Sequence, residues 1–290
     1  MLVREPIVAG QFYPAGRAAC LGQIEAMRPA SLPADLPARP VAGIVPHAGW
    51  TFSGRTALAV LEAIRARRTP KTFVLFGAVH RRARASAVFP AGRWETPLGP
   101  VEVDDWLARE VLARAGDLLA DDPLAHEDEH SLEVQLPFIR HLFPGAKIVP
   151  IAVLPDERAP EIGRAVGRAL ASHEADAACL GSTDLTHYGP AYGFAPRGSG
   201  AEAVRWVRQE NDRRMIDLML RLDADAAVAE AARRMNACGA GAVAATLAAA
   251  RELGAARGIL ADYTTSYDVM ERETGRGDAS ALVGYAGVVF

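Results

Sequence analysis

The chain has 290 residues, half of them hydrophobic, with a formal net charge of −3. That length admits one large domain or two small ones around a sizeable core, and charges of both signs scattered along it exclude the footprint of a nucleic-acid binder and a polybasic membrane patch. Cys20, Cys179 and Cys238 are odd in number and far apart, which excludes a disulfide framework.

No apolar run approaches the ~18 residues that span a bilayer. The start, Met1-Leu2-Val3-Arg4-Glu5-Pro6, lacks the basic-then-apolar run of a signal peptide. The expectation is a cytoplasmic protein with no membrane segment. Strands are predicted at 41–46, 72–77, 85–89, 147–153, 177–182, 258–263 and 281–290. Several of them are near-continuous apolar runs, as strands buried on both faces would be. Helices are predicted at 17–27, 55–67, 104–115, 131–142, 157–172, 201–221, 225–235 and 241–253, with a kink or early break at Pro137. Proline- and glycine-rich stretches at 28–40 and 189–200 read as loops, neither long enough to be a linker. The alternation predicts a single α/β domain over 1–290: a layered sandwich whose central, mostly parallel or mixed sheet is flanked by helices.

Ligands of open α/β sheets bind beyond strand ends, and three of the seven histidines are predicted there. His47 follows Val41-Ala42-Gly43-Ile44-Val45-Pro46, with Gly49 and Gly54 bracketing a turn before the next helix. His80 follows Lys71-Thr72-Phe73-Val74-Leu75-Phe76-Gly77. His187 follows the strand 177–182 in Ser182-Thr183-Asp184-Leu185-Thr186-His187. Neutral imidazole is the commonest protein metal ligand; the competing reading of each histidine is a loop hydrogen bond. Asp184, three residues before His187, is placed to orient it and raise its basicity, the arrangement of a general base with its orienter. A turn-capping aspartate is the alternative.

Cys238 opens a helix of small residues. A helix start favours thiolate, although free cysteine is often a buried small hydrophobe, as Cys20 and Cys179 are expected to be. His126-Glu127-Asp128-Glu129-His130 is a dense titratable cluster before a helix. The acids suit a helix N-terminus, whereas the histidines are poorly explained by it, so Glu127 and His130 are pocket candidates. His141 and His173 fall on helical surfaces. Gly239-Ala240-Gly241-Ala242-Val243-Ala244 matches a dinucleotide fingerprint, but the strand that must precede it is missing.

Six segments resemble the Memo family, called AmmeMemoRadiSam system protein B in prokaryotes. They are Arg4-Glu5-Pro6-Ile7-Val8-Ala9-Gly10-Gln11-Phe12-Tyr13-Pro14, Pro46-His47-Ala48-Gly49-Trp50, the run from Glu129 to Phe138, the run from Ser182 to Gly189, Cys238-Gly239-Ala240-Gly241, and Val283-Gly284-Tyr285-Ala286. The resemblance runs end to end. It implies a fold similar to class III extradiol dioxygenases, with His47, His80 and Cys238 as metal ligands and Asp184 and His187 lining the same pocket. Two departures stand out. Gly77-Ala78-Val79-His80 is followed by Arg81-Arg82, where the family usually has Gly-Pro-Asn-His or Gly-Pro-Ser-His. Tyr267 stands where glycine is usual, placing a bulky ring near the pocket.

Two histidines and one anionic ligand leave open positions for oxygen and substrate. The leading expectation is a non-haem iron(II) oxidoreductase acting on a small molecule, with His187 moving a proton. Cysteine as third ligand also admits copper or zinc, and zinc would suit a hydrolase. A non-catalytic metal-handling protein, or a pocket for a peptide or partner, is the third class. The family name implies a functional link to a radical-SAM protein and a small companion.

Overall fold

The computed structural model describes residues 2–81, 83–172 and 176–290. In chain order its strands are β1 (Val3–Arg4), β2 (Ala42–Val45), β3 (Thr72–Gly77), β4 (Ala87–Val88), β5 (Arg93–Trp94), β6 (Val101–Glu102), β7 (Ala120–Asp121), β8 (Lys147–Ala152), β9 (Ala177–Ser182), β10 (His187–Tyr188), β11 (Ile259–Thr265) and β12 (Leu282–Val289). The α-helices are α1 (Arg17–Ala26), α2 (Trp50–Arg65), α3 (Asp105–Ala115), α4 (Leu136–Leu142), α5 (Ala159–Ser172), α6 (Ala201–Trp206), α7 (Asp212–Arg221), α8 (Ala224–Arg234), α9 (Ala240–Glu252) and α10 (Ser266–Thr274).

One large mixed sheet runs β10-β12-β2-β9-β3-β8-β4-β7, with β11 also paired to β12. Its centre, β2-β9-β3-β8, is parallel; β12 is antiparallel to β2, and β4 to β8. A small sheet β1-β5-β6 stands beside it. The fold is therefore mixed α/β with helices on both faces. Side chains alternate along the central strands. Ile44, Val74, Phe76, Val149, Ile151 and Cys179 enter the core under α3, α5 and α9, while Val45, Phe73, Leu75, Ile148, Ala178 and Leu180 enter the opposite core under α1, α2 and α4. Both faces are covered, which is why these strands read as unbroken apolar runs.

The alanine-rich α9 lies directly against α5. A Cβ on Gly163 would sit 2.0 Å from the Ala245 carbonyl oxygen, and one on Gly167 2.5 Å from Glu252. Small residues on both helices permit this approach.

Several elements differ from the sequence expectation. The helix after His47 starts at Trp50 rather than Arg55. Gly54 lies inside it, and a Cβ there would meet Met27 Sδ at 2.6 Å; the glycine serves helix packing rather than a turn. The helix expected from Ser131 begins as a 3-10 turn at Glu133–Gln135 and becomes α4 only at Leu136. Pro137 thus sits in the first turn, where its missing N–H costs no helical bond, and no kink is needed. The long helix expected over 201–221 is α6 and α7 joined by a π-helical stretch, Val207–Asn211. The helix α10 was not anticipated, although Thr265 and Asp268 form a capping box at its start. His173 and Arg82 lie outside the described residues.

Candidate metal centre

The parallel register brings the strand ends level. Val45 of β2 pairs with Ser182 of β9, and Phe76 of β3 with Gly181 of β9. His47, His80 and Asp184 each follow within three residues. The chain order β2, β3, β9 becomes the spatial order β2-β9-β3, so a crevice opens at the point where the connections diverge. The close approach of the strand ends depends on glycine. A Cβ on Gly77 would meet Leu132 Cγ at 2.8 Å, and one on Gly239 would meet the Ser182 carbonyl oxygen at 2.3 Å.

His47 is buried, with its backbone N–H donating to Asp184 Oδ1 at 2.7 Å. Its ring touches Ser182 Oγ through Nδ1 at 3.0 Å and Cys238 Sγ through Nε2 at 3.2 Å. His80 packs edge-on to it, ring centres 5.1 Å apart. His130 stacks on His80 at 4.8 Å and lies 5.5 Å from His47. Glu129 is buried behind His80, both oxygens 3.1 Å from His80 Nδ1. It also accepts the backbone N–H groups of His80 and Ser131, at 2.9 and 2.7 Å.

Cys238 lies two residues before α9, so it does not open the helix. Asp184 donates its backbone N–H to Cys238 Sγ at 3.3 Å, and Cys238 returns its own N–H to the Asp184 carbonyl at 3.2 Å. Burial, and then the Asp184 charge, push the thiol well above its ordinary range. The metal-free cysteine is therefore a thiol, contrary to the expectation of a helix-start thiolate. Burial, reinforced by His80 and His130, lowers His47. Burial also lowers His130. Burial works against protonation of His80, but the Glu129 hydrogen bond and charge outweigh it and raise this imidazole.

Two triplets are found among the described residues, each with its potential ligand atoms within 4.8 Å of one another: His47, His80 and His130, and His47, Asp184 and Cys238. His47 is common to both. The expected trio of His47, His80 and Cys238 is thus divided between them, and His130 and Asp184 join as potential ligands. Together the five form a potential metal site. Its donors are neutral imidazole, carboxylate and sulfur, a set that suits iron, copper or zinc.

His187 lines the same cavity, but its Nδ1 bonds the Leu185 carbonyl at 3.1 Å. Asp184 turns its carboxylate to the N–H groups of His47 and Ala48 instead. A backbone carbonyl holds His187, in place of the expected carboxylate. The remaining walls of the cavity, about 520 Å³ in volume, include Phe12, Phe52, Tyr192, Met270, Val283 and Tyr285. Glu127 is exposed and lines a different cavity with Arg81, Asp122 and Leu124. Tyr267 is not among the residues that line the crevice. It packs with Tyr188 and Trp206, and Arg208 stands over its ring at 5.5 Å. His126 is wholly buried between Phe89 and Trp94, its Nε2 on the Ala87 carbonyl, and burial lowers its pKa to about 4.

Glu129 and Ser182 stand in the sequence motifs, Glu129 explained by the helix start and Ser182 without a role, and neither is predicted to support the pocket. Phe12 and Tyr285 lie in segments of the family resemblance without a predicted pocket role, and Phe52 and Tyr192 carry no signal, because aromatic residues in apolar company look like core.

The profile of the Memo-like protein family matches residues 4–289. This chain belongs to the Memo family. It is 39% identical over 299 residues to a MEMO1 family protein of Thermococcus onnurineus, covering 100% of this chain and 99% of the relative. It is 40% identical over 301 residues to one of Pyrococcus abyssi, covering 99% of each. Among solved structures, the uncharacterized protein JW3007 of Escherichia coli K12 is similar with a TM-score of 0.52 at 12% identity. That likeness covers 86% of this Memo chain and 99% of the other and concerns the fold alone. No helix among the described residues is long and apolar enough to cross a membrane.

Proposed function

We propose that this Memo protein binds a single metal ion at the His47 crossroads and acts there as a non-haem iron-dependent oxidoreductase on a small molecule. The observation that carries this reading is the sharing of His47 by two triplets of ligand atoms. With Nδ1 engaged by Ser182, His47 has one nitrogen, Nε2, to offer. The two triplets therefore describe alternative or combined ligands of one ion, not two separate sites.

Iron(II) bound there would supply activation of dioxygen and of a coordinated substrate. The chain supplies the rest. Phe12, Phe52, Tyr192 and Tyr285 form an apolar, partly aromatic wall that excludes water from one side of a bound molecule. The Leu185 carbonyl can only accept, so His187 carries its proton on Nδ1 and keeps Nε2 basic. In this reading His187 Nε2 takes a proton from the bound molecule.

Elemental analysis of protein purified without oxygen, wild type beside Cys238→Ala and His47→Ala, tests the proposal. Near-stoichiometric iron that both variants lose, with oxygen uptake on adding catechol-type compounds, supports it. Zinc in place of iron moves the activity to hydrolysis. Protein that stays empty after incubation with iron(II), copper(I) and zinc makes the crevice a peptide- or partner-binding pocket.

A further inference from the structure

The hydrogen-bond chain that links His47 to His80 fixes the proton on each ring. Ser182 Oγ lies 2.7 Å from the Ser131 carbonyl oxygen. A carbonyl can only accept, so the Ser182 hydroxyl proton points there. The 3.0 Å contact between Ser182 Oγ and His47 Nδ1 then needs a proton from the imidazole. His47 is the Nδ1–H tautomer, and its lone pair is on Nε2, facing Cys238.

His80 reaches the same state by another route. Its Nδ1 sits 3.1 Å from both oxygens of Glu129. That carboxylate already receives N–H groups from His80 and Ser131 and offers no proton. The proton in the His80 contact is again on Nδ1, which leaves Nε2 free.

Both routes start from one tripeptide. Glu129 binds His80 directly, and Ser131 holds Ser182, which holds His47. The tripeptide is itself anchored. Ser131 Oγ accepts the Ala78 N–H at 3.0 Å, and the Glu129 carbonyl accepts from Arg4 at 2.8 Å. Ser131 and Ser182 are each within 1% of full burial, and Glu129 is 4% exposed.

We propose that Glu129 and Ser182 are positioning residues of the metal site, seated on the segment Glu129–Ser131, which sets both imidazoles as Nδ1–H tautomers and presents both Nε2 lone pairs to one ion. An acceptor on the far nitrogen orients a ligating imidazole and raises its basicity. Here the two acceptors differ: a carboxylate behind His80 and a hydroxyl behind His47. His80 is the more strongly polarised ligand. The inference rests on the metal-binding reading for its purpose, but the tautomers belong to the metal-free protein and can be read without any ion.

Nitrogen-15 NMR of histidine-labelled, metal-free protein at alkaline pH reports the tautomers, with signals assigned by single histidine substitutions. Zinc affinity is measured alongside, by competition with a chromophoric chelator. The expected result has three parts. Wild type shows Nδ1–H on both His47 and His80. Ser182→Ala shifts the His47 nitrogens and spares those of His80, and Glu129→Gln does the reverse. Each variant weakens zinc binding by roughly 10- to 100-fold. An Nε2–H tautomer on either wild-type ring would overturn the proposal, as would variants that leave tautomers and zinc affinity unchanged. If Glu129→Gln does not fold, Ser182→Ala alone decides through the His47 signals. Tautomers that respond as stated in a protein that takes up no zinc would uphold the assignment and sink the metal reading instead.

Discussion

His47 Nε2 and Cys238 Sγ lie 3.2 Å apart although 191 residues separate them in the chain. The contact joins the end of a central strand to the approach of α9, and Asp184 bonds the backbone or side chain of both residues. A ligand removed from this knot leaves a sheet core intact on both faces.

His47→Ala and Cys238→Ala should therefore lose metal without unfolding. The affinity loss should exceed the roughly 10- to 100-fold that follows loss of an outer-shell partner. The thermal midpoint of the metal-free variants should stay within about 2 °C of wild type, equivalent to about 1 kcal/mol for a chain of this size. Metal titration and calorimetry on the same samples check both parts. Retention of wild-type affinity in both variants would remove these residues from the site.

The pair Arg4–Glu133 is buried, with side-chain exposures of 4% and 1%. Glu133 also accepts the N–H groups of Ile7 and Val8 and the hydroxyl of Tyr13. Removing one member of such a pair leaves a buried charge unanswered. Arg4→Ala should cost about 3–5 kcal/mol in urea unfolding. It should also loosen Phe12 at the cavity, since the segment that carries Phe12 is tied down by Glu133. A cost under 1 kcal/mol would show that water repairs the gap.

Asp212 is buried on the far side of β12 from the crevice. It accepts Thr186 N–H at 3.0 Å and Tyr263 Oη–H at 2.8 Å. Burial raises its carboxyl to about 6, against an ordinary value of 3.8. The folded state thus holds a proton between about pH 4 and pH 6 that the unfolded chain has released. Stability from this group is full below about pH 4 and falls by about 3 kcal/mol as pH rises through 6. Asp212→Asn keeps the shape and removes the titration. The difference in unfolding free energy, variant minus wild type, should grow in the variant's favour between pH 4 and 7. A difference that is flat with pH would place the proton elsewhere.

Gly239→Ala places a Cβ 2.3 Å from the Ser182 carbonyl, a backbone atom with no room to retreat. The expected cost is about 1–3 kcal/mol, together with weakened metal binding, because Cys238 is the adjacent residue. Gly254→Ala is the control for a site open to solvent; nothing lies within 4 Å there, although its φ of +90° adds strain. Thermal melts and zinc titrations of the two should separate packing at the site from backbone strain alone.

The central sheet could be read from sequence because its strands are buried on both faces, so that Thr72–Gly77 and Ala177–Ser182 appear as unbroken apolar runs with clear ends. The two-residue strands β1, β5, β6, β7 and β10 have no period to detect. The crevice histidines showed themselves by following strand ends. The partners of their far nitrogens did not, because a glutamate beside a predicted helix start is adequately explained as a cap. Asp184 was placed in the crevice from its motif, but its bonds to His47 and Ala48 depend on a register across 137 residues that no local pattern encodes.

The last strand, β12, is wedged between β2 and the elements that follow β9, and Gly284 bonds Leu185 and Thr186 beside the crevice. Residues near position 284 leave the ribosome after every potential ligand has already emerged. The wall that Val283 and Tyr285 give the crevice therefore comes from a strand later in the chain than every potential ligand.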